Sequence, residues 1–252
     1  MSESGLPTIQ GVIVLCDGEN GRLLAVIDSI EITIIRTGAA TAIAAKYLAR
    51  ANAKTATICG CGNQGRISLK AITKVRHLET VYAFDIDKLK PENFRDEFAD
   101  NLRVTAIGLN DLKTALKESD ICVTCTPSKQ PFVMADDIRP GTFIAAVGAD
   151  SEDKQELESN LVAASKVVVD LLDQCEKIGE LHHALRRGVL HSSDVHAEIG
   201  QIICGQKPGR TSDNETIVFD STGTALQDVA AAAIVYQKAE KENSARILQY
   251  AD

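Results

Sequence analysis

The 252-residue chain has no uninterrupted apolar stretch near the ~20 residues that a membrane-spanning helix needs. Its first residues, MSESGLPT, lack the basic-then-apolar order of a secretory signal. A basic stripe is missing too. Arg186-Arg187 is the nearest approach to one, and the formal net charge is −8. These absences argue against a membrane or a nucleic-acid partner and leave a cytoplasmic location as the expectation. There is no internal repeat and no low-complexity segment. What is present is ordinary for a globular chain, with 44% hydrophobic and 25% charged residues. The length is ample for a buried core.

Seven cysteines, an odd number, sit mostly in apolar strand-like runs. They read as small core residues in a reducing compartment. Cys59-x-Cys61 and Cys122-x-x-Cys125 could in principle give four thiolates to zinc. However, DICVTCT alternates like a strand, which points Cys122 and Cys125 to opposite faces. No metal is expected. His196 stands two residues from Glu198, the wrong spacing for a zinc-binding H-E-x-x-H helix. All five histidines read as structural or surface groups.

GVIVLCDGENGRLLAVID reads as a hairpin around the turn-rich Asp17–Gly21. EITIIRT continues as a third strand, and GAATAIAAKYLARAN then has helical composition. From Lys54 short apolar runs (TATIC, TVYAFD, RVTAI, DICVTCT, TFIAAVG, SKVVVD, ETIVFD) alternate with helical patterns. That alternation predicts an α/β fold, a doubly wound parallel sheet covered on both faces. Residues 224–250 read as one long helix in which Ala230–Ala233 would let another element pack closely. The expected division is a nucleotide-binding domain over 38–220, with 1–37 and 221–252 forming a second, smaller lobe.

The segment CGCGNQGR contains G-x-G-x-x-G at Gly60, Gly62 and Gly65. It follows a predicted strand and opens a predicted helix, the context that a dinucleotide fingerprint requires. The first glycine allows the turn, the second lets backbone approach a pyrophosphate, and the third lets helix and strand pack closely. The phosphates would meet the helix N-terminus. Asp85, 20 residues after Gly65, ends TVYAFD. A carboxylate there accepts hydrogen bonds from both ribose hydroxyls and repels a 2′-phosphate, so NAD is expected over NADP. Asp150 ends TFIAAVGAD. It could carry a proton at a strand's carboxyl end or cap a following helix. Arg36 is a fork suited to phosphate or carboxylate, or a surface arginine closing a strand. Thr222 or Thr224 could be an N-cap.

GCGNQGR, RTGAATA, GADSEDKQEL and FDSTGTALQDVA together resemble the family of ornithine cyclodeaminase, archaeal alanine dehydrogenase and mu-crystallin, over nearly the whole chain. The resemblance implies a Rossmann domain binding NAD(P) and a second domain that dimerises and supplies much of the substrate pocket. By position it implies that Arg36 and Thr37 contact cofactor phosphate, and that Asn63 and Gln64 lie in the phosphate loop. Asp85 falls on the ribose. Thr8 and Thr126 line the cofactor, Lys154 and Ser221 lie near the nicotinamide, and Asp150 is the catalytic aspartate. The implied substrate is a small L-amino acid or its imine or keto acid, and the implied assembly is a homodimer.

Family members usually carry a further N-terminal stretch with a lysine and an arginine that grip the substrate carboxylate. Residues 1–7 contain neither. The expectation is therefore an N-terminally shortened second lobe. The main functional reading is a hydride-transferring enzyme, alanine dehydrogenase-like or ornithine cyclodeaminase-like. The alternative is an NAD(H)-binding protein with little or no turnover, because that substrate-gripping stretch is missing.

Overall fold

The computed structural model describes residues 10–246. In chain order the elements are β1 (Val12–Cys16), β2 (Leu23–Asp28), α1 (Ser29–Leu48), β3 (Thr55–Cys59), α2 (Asn63–Ile72), β4 (Thr80–Phe84) and α3 (Leu89–Phe98). Next come β5 (Arg103–Ile107), α4 (Leu109–Glu118), β6 (Ile121–Thr124), β7 (Phe143–Ala146), α5 (Ser159–Ala163), β8 (Lys166–Val169), α6 (Leu172–Cys175) and α7 (Glu180–Arg186). The last are β9 (Ala197–Glu198), α8 (Ile199–Ile203), β10 (Ile217–Asp220) and α9 (Ala225–Glu242). Among the described residues two compact units emerge, one of residues 37–223 and a smaller one made of residues 10–36 and 224–246.

The larger unit holds an eight-stranded sheet in the order β5-β4-β3-β6-β7-β10-β8-β9. Every pairing in it is parallel. Its strands bury both faces, and two apolar clusters result. Ile217 and Phe219 of β10 join one cluster and Val218 the other. In β6, Ile121 and Val123 face the first cluster and Cys122 the second. This is why the sequence shows continuous apolar runs rather than alternation. The chain steps outward from β3 through β4 to β5, then returns to place β6 on the other side of β3. Strand order reverses there, and in open α/β sheets ligands bind outside the strand carboxyl ends at such a point.

In the smaller unit β1 and β2 form the expected hairpin, with Val14 opposite Val26, and α9 packs on β1. EITIIRT is not a third strand. It forms the first half of α1, which runs unbroken into GAATAIAAKYL. No proline separates the two halves, the glycine at the join, Gly38, is tolerated within the helix, and β-branched residues cost a helix only tenths of a kcal/mol each. At the start, Ile30 N donates to Asp28 Oδ1 (2.7 Å) and Ile32 is buried. Local composition favoured a strand, and the continuous helix with its packing overrode it. Helix α9 ends at Glu242, with Asn243 in the left-handed region (φ 51°), short of the expected 250. Among the described residues no helix is long and apolar enough to cross a membrane.

Candidate functional site

The glycine loop leaves β3 at the switch point. Gly60 has φ +106°, and a Cβ there would lie 2.7 Å from the Cys125 carbonyl, just past β6. At Gly65 a Cβ would meet the Gly60 carbonyl at 2.0 Å. Gly62 differs, because a Cβ there has nothing within 4 Å. No side chain caps α2 at Gly62, so the N–H groups of its first turn point out of the helix end. Asn63 is exposed, whereas Gln64 Oε1 is buried with no hydrogen-bond partner among the described residues. Open space over the second glycine and an uncapped helix end together fit a bound pyrophosphate.

Asp85 closes the loop from β4. Its Oδ2 accepts from Cys61 N (3.0 Å) and its Oδ1 from Asp87 N (3.0 Å), and Lys90 Nζ lies 3.7 Å from Oδ1. The carboxylate is thus fixed beside the loop at a strand end.

The exits of β6 and β7 carry the next residues. Thr126 donates through both N (2.6 Å) and Oγ1 (2.7 Å) to Glu156 Oε1. Gly148 N donates to Glu156 Oε2 (3.1 Å). Asp150 follows two residues later. It is exposed and takes Lys154 Nζ at 2.5 Å. It caps no helix, since the following residues form a turn and α5 starts only at Ser159. His183 Nε2 donates to the Lys154 carbonyl (2.8 Å) and holds that turn from α7.

At the exits of β8 and β10, Asp170 gathers donors. Ser221 Oγ (3.2 Å) and Gly223 N (2.7 Å) reach its Oδ2, and Thr222 Oγ1 (3.2 Å) reaches its Oδ1. Ser221 is therefore held at the strand end with its hydroxyl bonded to Asp170. Thr224, not Thr222, is the N-cap of α9, accepting from Gln227 N.

Arg36 and Thr37 lie within α1. Arg36 Nε donates to Asp228 Oδ1 (2.9 Å) and Nη1 to Gln227 Oε1 (3.3 Å). It is a helical residue pairing with α9, not an arginine closing a strand. Thr37 is buried and its carbonyl accepts from Thr41 Oγ1 (2.9 Å). Thr8 lies outside the described residues.

The cysteines divide. Cys59, Cys61, Cys122 and Cys175 are buried, but Cys16 and Cys204 are exposed, so the core reading fails for those two. Burial pushes the Cys61 thiol up to about 12. Cys125 Sγ donates to the Cys59 and Gly60 carbonyls (3.3 and 3.2 Å), beneath the loop. Among the described residues no group of three or more His, Cys, Asp or Glu is arranged to hold a metal.

Sequence reasoning missed a set of buried carboxyls. Glu156, Glu180 and Asp220 are all fully buried. Glu180 accepts from the backbone N of Glu156 (2.7 Å) and Leu157 (3.0 Å), and Asp220 Oδ2 accepts from Leu181 N (2.8 Å). A signal existed for Asp220. It ends ETIVFD as Asp85 ends TVYAFD and Asp170 ends SKVVVD. Burial, with the Asp170 and Glu156 charges adding to it, pushes the Asp220 carboxyl from 3.8 up to about 7 against its backbone hydrogen bonds. Folding thus takes up a proton between those values, so this group's stabilising contribution is full below about pH 4 and is lost as pH rises through 7. Asp220→Asn is expected to melt above the unmodified protein at pH 8, with the gap narrowing at pH 5. Thermal unfolding followed by circular dichroism reads both.

The family model of the ornithine cyclodeaminase/mu-crystallin family matches residues 1–243. Alanine dehydrogenase of Archaeoglobus fulgidus is 42% identical over 241 residues, which are 96% of this chain and 74% of that protein. The solved archaeal alanine dehydrogenase dimer with bound NAD superposes with a TM-score of 0.94 at 40% identity, covering 98% of this chain and 77% of that one. Delta(1)-pyrroline-2-carboxylate reductase of Thermococcus litoralis, solved with NADH and L-proline, gives 0.91 at 34% identity, covering 95% and 75%. The α/β fold with its parallel sheet, the open glycine loop and these matches agree: the chain belongs to the ornithine cyclodeaminase/mu-crystallin family.

Proposed function

We propose that the chain is an NAD(H)-dependent enzyme that moves hydride to or from a carbon bearing nitrogen in a small L-amino acid or its imine. One observation carries this reading. The open loop at Gly62, the carboxylate of Asp85 beside it and Asp150 two strands along all stand at strand carboxyl ends around the switch point. In this reading the Gly60–Gly65 loop with Asn63 and Gln64 holds pyrophosphate, Asp85 the ribose, and Thr126, Lys154 and Ser221 line the nicotinamide side. Bound NAD would supply a ring carbon that takes or returns hydride. Asp150 moves the proton. An amine nitrogen must lose one as hydride leaves its carbon, and an imine nitrogen must hold one as hydride arrives. Lys154 fixes the carboxylate's direction. Dehydrogenation and reduction change the nicotinamide's redox state in a net sense. Cyclodeamination returns the hydride within one turnover, converting ornithine to proline and ammonia.

NADH fluorescence on titration tests the cofactor assignment, and absence of binding at millimolar NADH removes it. Purified protein is then offered alanine with NAD, pyruvate with ammonia and NADH, Δ1-pyrroline-2-carboxylate with NADH, and ornithine with NAD. Absorbance and proline formation are both followed. Asp85→Ala is expected to weaken NADH about 10- to 100-fold, the loss of a hydrogen bond to a charged group. The NAD/NADP preference should fall with it.

The same reading includes a homodimer. Val12, Val14 and Val26 are 65%, 59% and 58% exposed on the β1–β2 hairpin, a patch of the kind that association covers. Light scattering after gel filtration is expected to give the mass of two chains, and Val14→Glu that of one. The seven free thiols support placing the protein in the reducing cytoplasm.

A further inference from the structure

We propose that Glu156 is a positioning residue that ties the Thr126 loop to the Asp150 loop, so that the aim of Asp150 depends on Glu156 being a carboxylate. This rests on the reading of Asp150 as the proton carrier. Strands β6 and β7 pair along Ile121–Thr124 and Phe143–Ala146, and the ladder's last bond runs from Val147 N to Thr124 O (2.8 Å). Beyond it the two chains part. Thr126 N and Gly148 N then face inward with no strand to receive them, and both donate to Glu156. The carboxylate replaces the missing rung, one oxygen for each loop, with Thr126 Oγ1 as a third donor.

Glu156 is itself held on both sides. Its N donates to Glu180 Oε1 (2.7 Å), and its carbonyl accepts from Phe132 N (2.9 Å) and Val133 N (3.1 Å). The fit at Gly148 is close, since a Cβ there would lie 2.4 Å from Glu156 Oε2 and 2.6 Å from the Thr126 carbonyl. Asp150 is only two residues further along, with its own N donating to the Gly148 carbonyl (3.2 Å). A shift of Gly148 therefore moves Asp150.

Only an ionised carboxyl accepts all three bonds. Once protonated, one oxygen carries a hydrogen and confronts an N–H donor. The titratable groups facing Glu156 are Glu180, Asp220 and the Cys59 and Cys125 thiols. None of these is a cation. Burial pushes the Glu156 carboxyl from 4.5 up to about 7, against its hydrogen bonds, which pull it down. The clamp is thus complete above neutrality and opens below it.

The experiment follows Glu156→Gln and the unmodified protein across pH 5.5–9. Glutamine keeps the length but puts a donor where one loop's N–H needs an acceptor. kcat is expected to fall about 10- to 100-fold, the cost of misplacing a catalytic group by an ångström. The acidic limb of the kcat profile should vanish, with melting at pH 6 little changed. An unaltered kcat and an unaltered acidic limb would overturn the proposal. A second measurement needs no variant. In the ¹⁵N–¹H spectrum of the unmodified protein, the Thr126 and Gly148 amides are expected to shift together with one midpoint near neutrality. Separate midpoints, or none, would overturn the coupling. If no amino acid or imine turns over, the hydride-transfer reading fails, and the two amides still decide whether Glu156 joins the loops.

Discussion

Asp150→Asn is expected to lower kcat by about 10²- to 10⁴-fold, the span that a positioned acid–base group contributes. NADH affinity should remain close to that of the unmodified protein. The two outcomes separate because the cofactor loop and Asp150 lie on different strand exits. The loop leaves β3 at Gly60, whereas Asp150 follows β7 and is exposed. Asparagine preserves shape and offers Lys154 Nζ an oxygen where the carboxylate now sits at 2.5 Å. What it cannot do is take a proton. In the oxidative direction the amine nitrogen then keeps its proton as hydride leaves, so the carbon–nitrogen double bond has to form without an acceptor. Both directions share one transition state, so kcat should fall in both. A solvent isotope effect on kcat should also grow, as proton transfer becomes limiting. The measurement is steady-state turnover over pH 6–9 beside NADH titration by fluorescence. Activity within a factor of ten of the unmodified protein, at every pH, would remove Asp150 from the role.

The parts of this arrangement differ in how far one sequence reveals them. Strands buried on both faces produce runs such as TATIC and KVVV that few other environments permit, and a glycine loop after such a run has a restricted meaning. The parallel sheet and the loop were therefore legible. EITIIRT was not, because β-branched residues suit a strand locally and only its continuity with α1 makes it helical. The Arg36–Asp228 pair was hidden for another reason. Its partners are 192 residues apart, and nothing in either neighbourhood announces the other. Glu156, Glu180 and Asp220 show the same limit. Glu156 and Glu180 are ordinary acids in the sequence, Asp220 shows only its place at a strand end, and the topology alone brings the three together behind the strand ends. Long-range polar pairing depends on which strands neighbour each other, and hydrophobic periodicity does not encode that order.

The sharpest contrast available at the loop is between Gly62→Ala and Gly65→Ala. Both add one methyl group to the same six residues. At Gly65 the new Cβ would stand 2.0 Å from the Gly60 carbonyl and 3.1 Å from Ile58 Cγ2. Backbone has to move, and overpacking of this kind costs about 1–3 kcal/mol. For a chain of this length, melting should drop by roughly 2–12 °C, and NADH binding should be lost with the loop's geometry. At Gly62 the backbone is extended, with φ −80° and ψ −164°, which alanine adopts freely. Nothing lies within 4 Å of the added Cβ. Melting should therefore hold or rise slightly, since alanine loses less chain entropy than glycine on folding. NADH affinity should nevertheless fall by tenfold or more, because the open space over Gly62 is where backbone and pyrophosphate would meet. A protein that is stable yet weak in binding isolates the ligand's demand from the fold's demand at one loop. Should Gly62→Ala bind NADH as the unmodified protein does, the pyrophosphate does not lie over this glycine and the cofactor assignment fails.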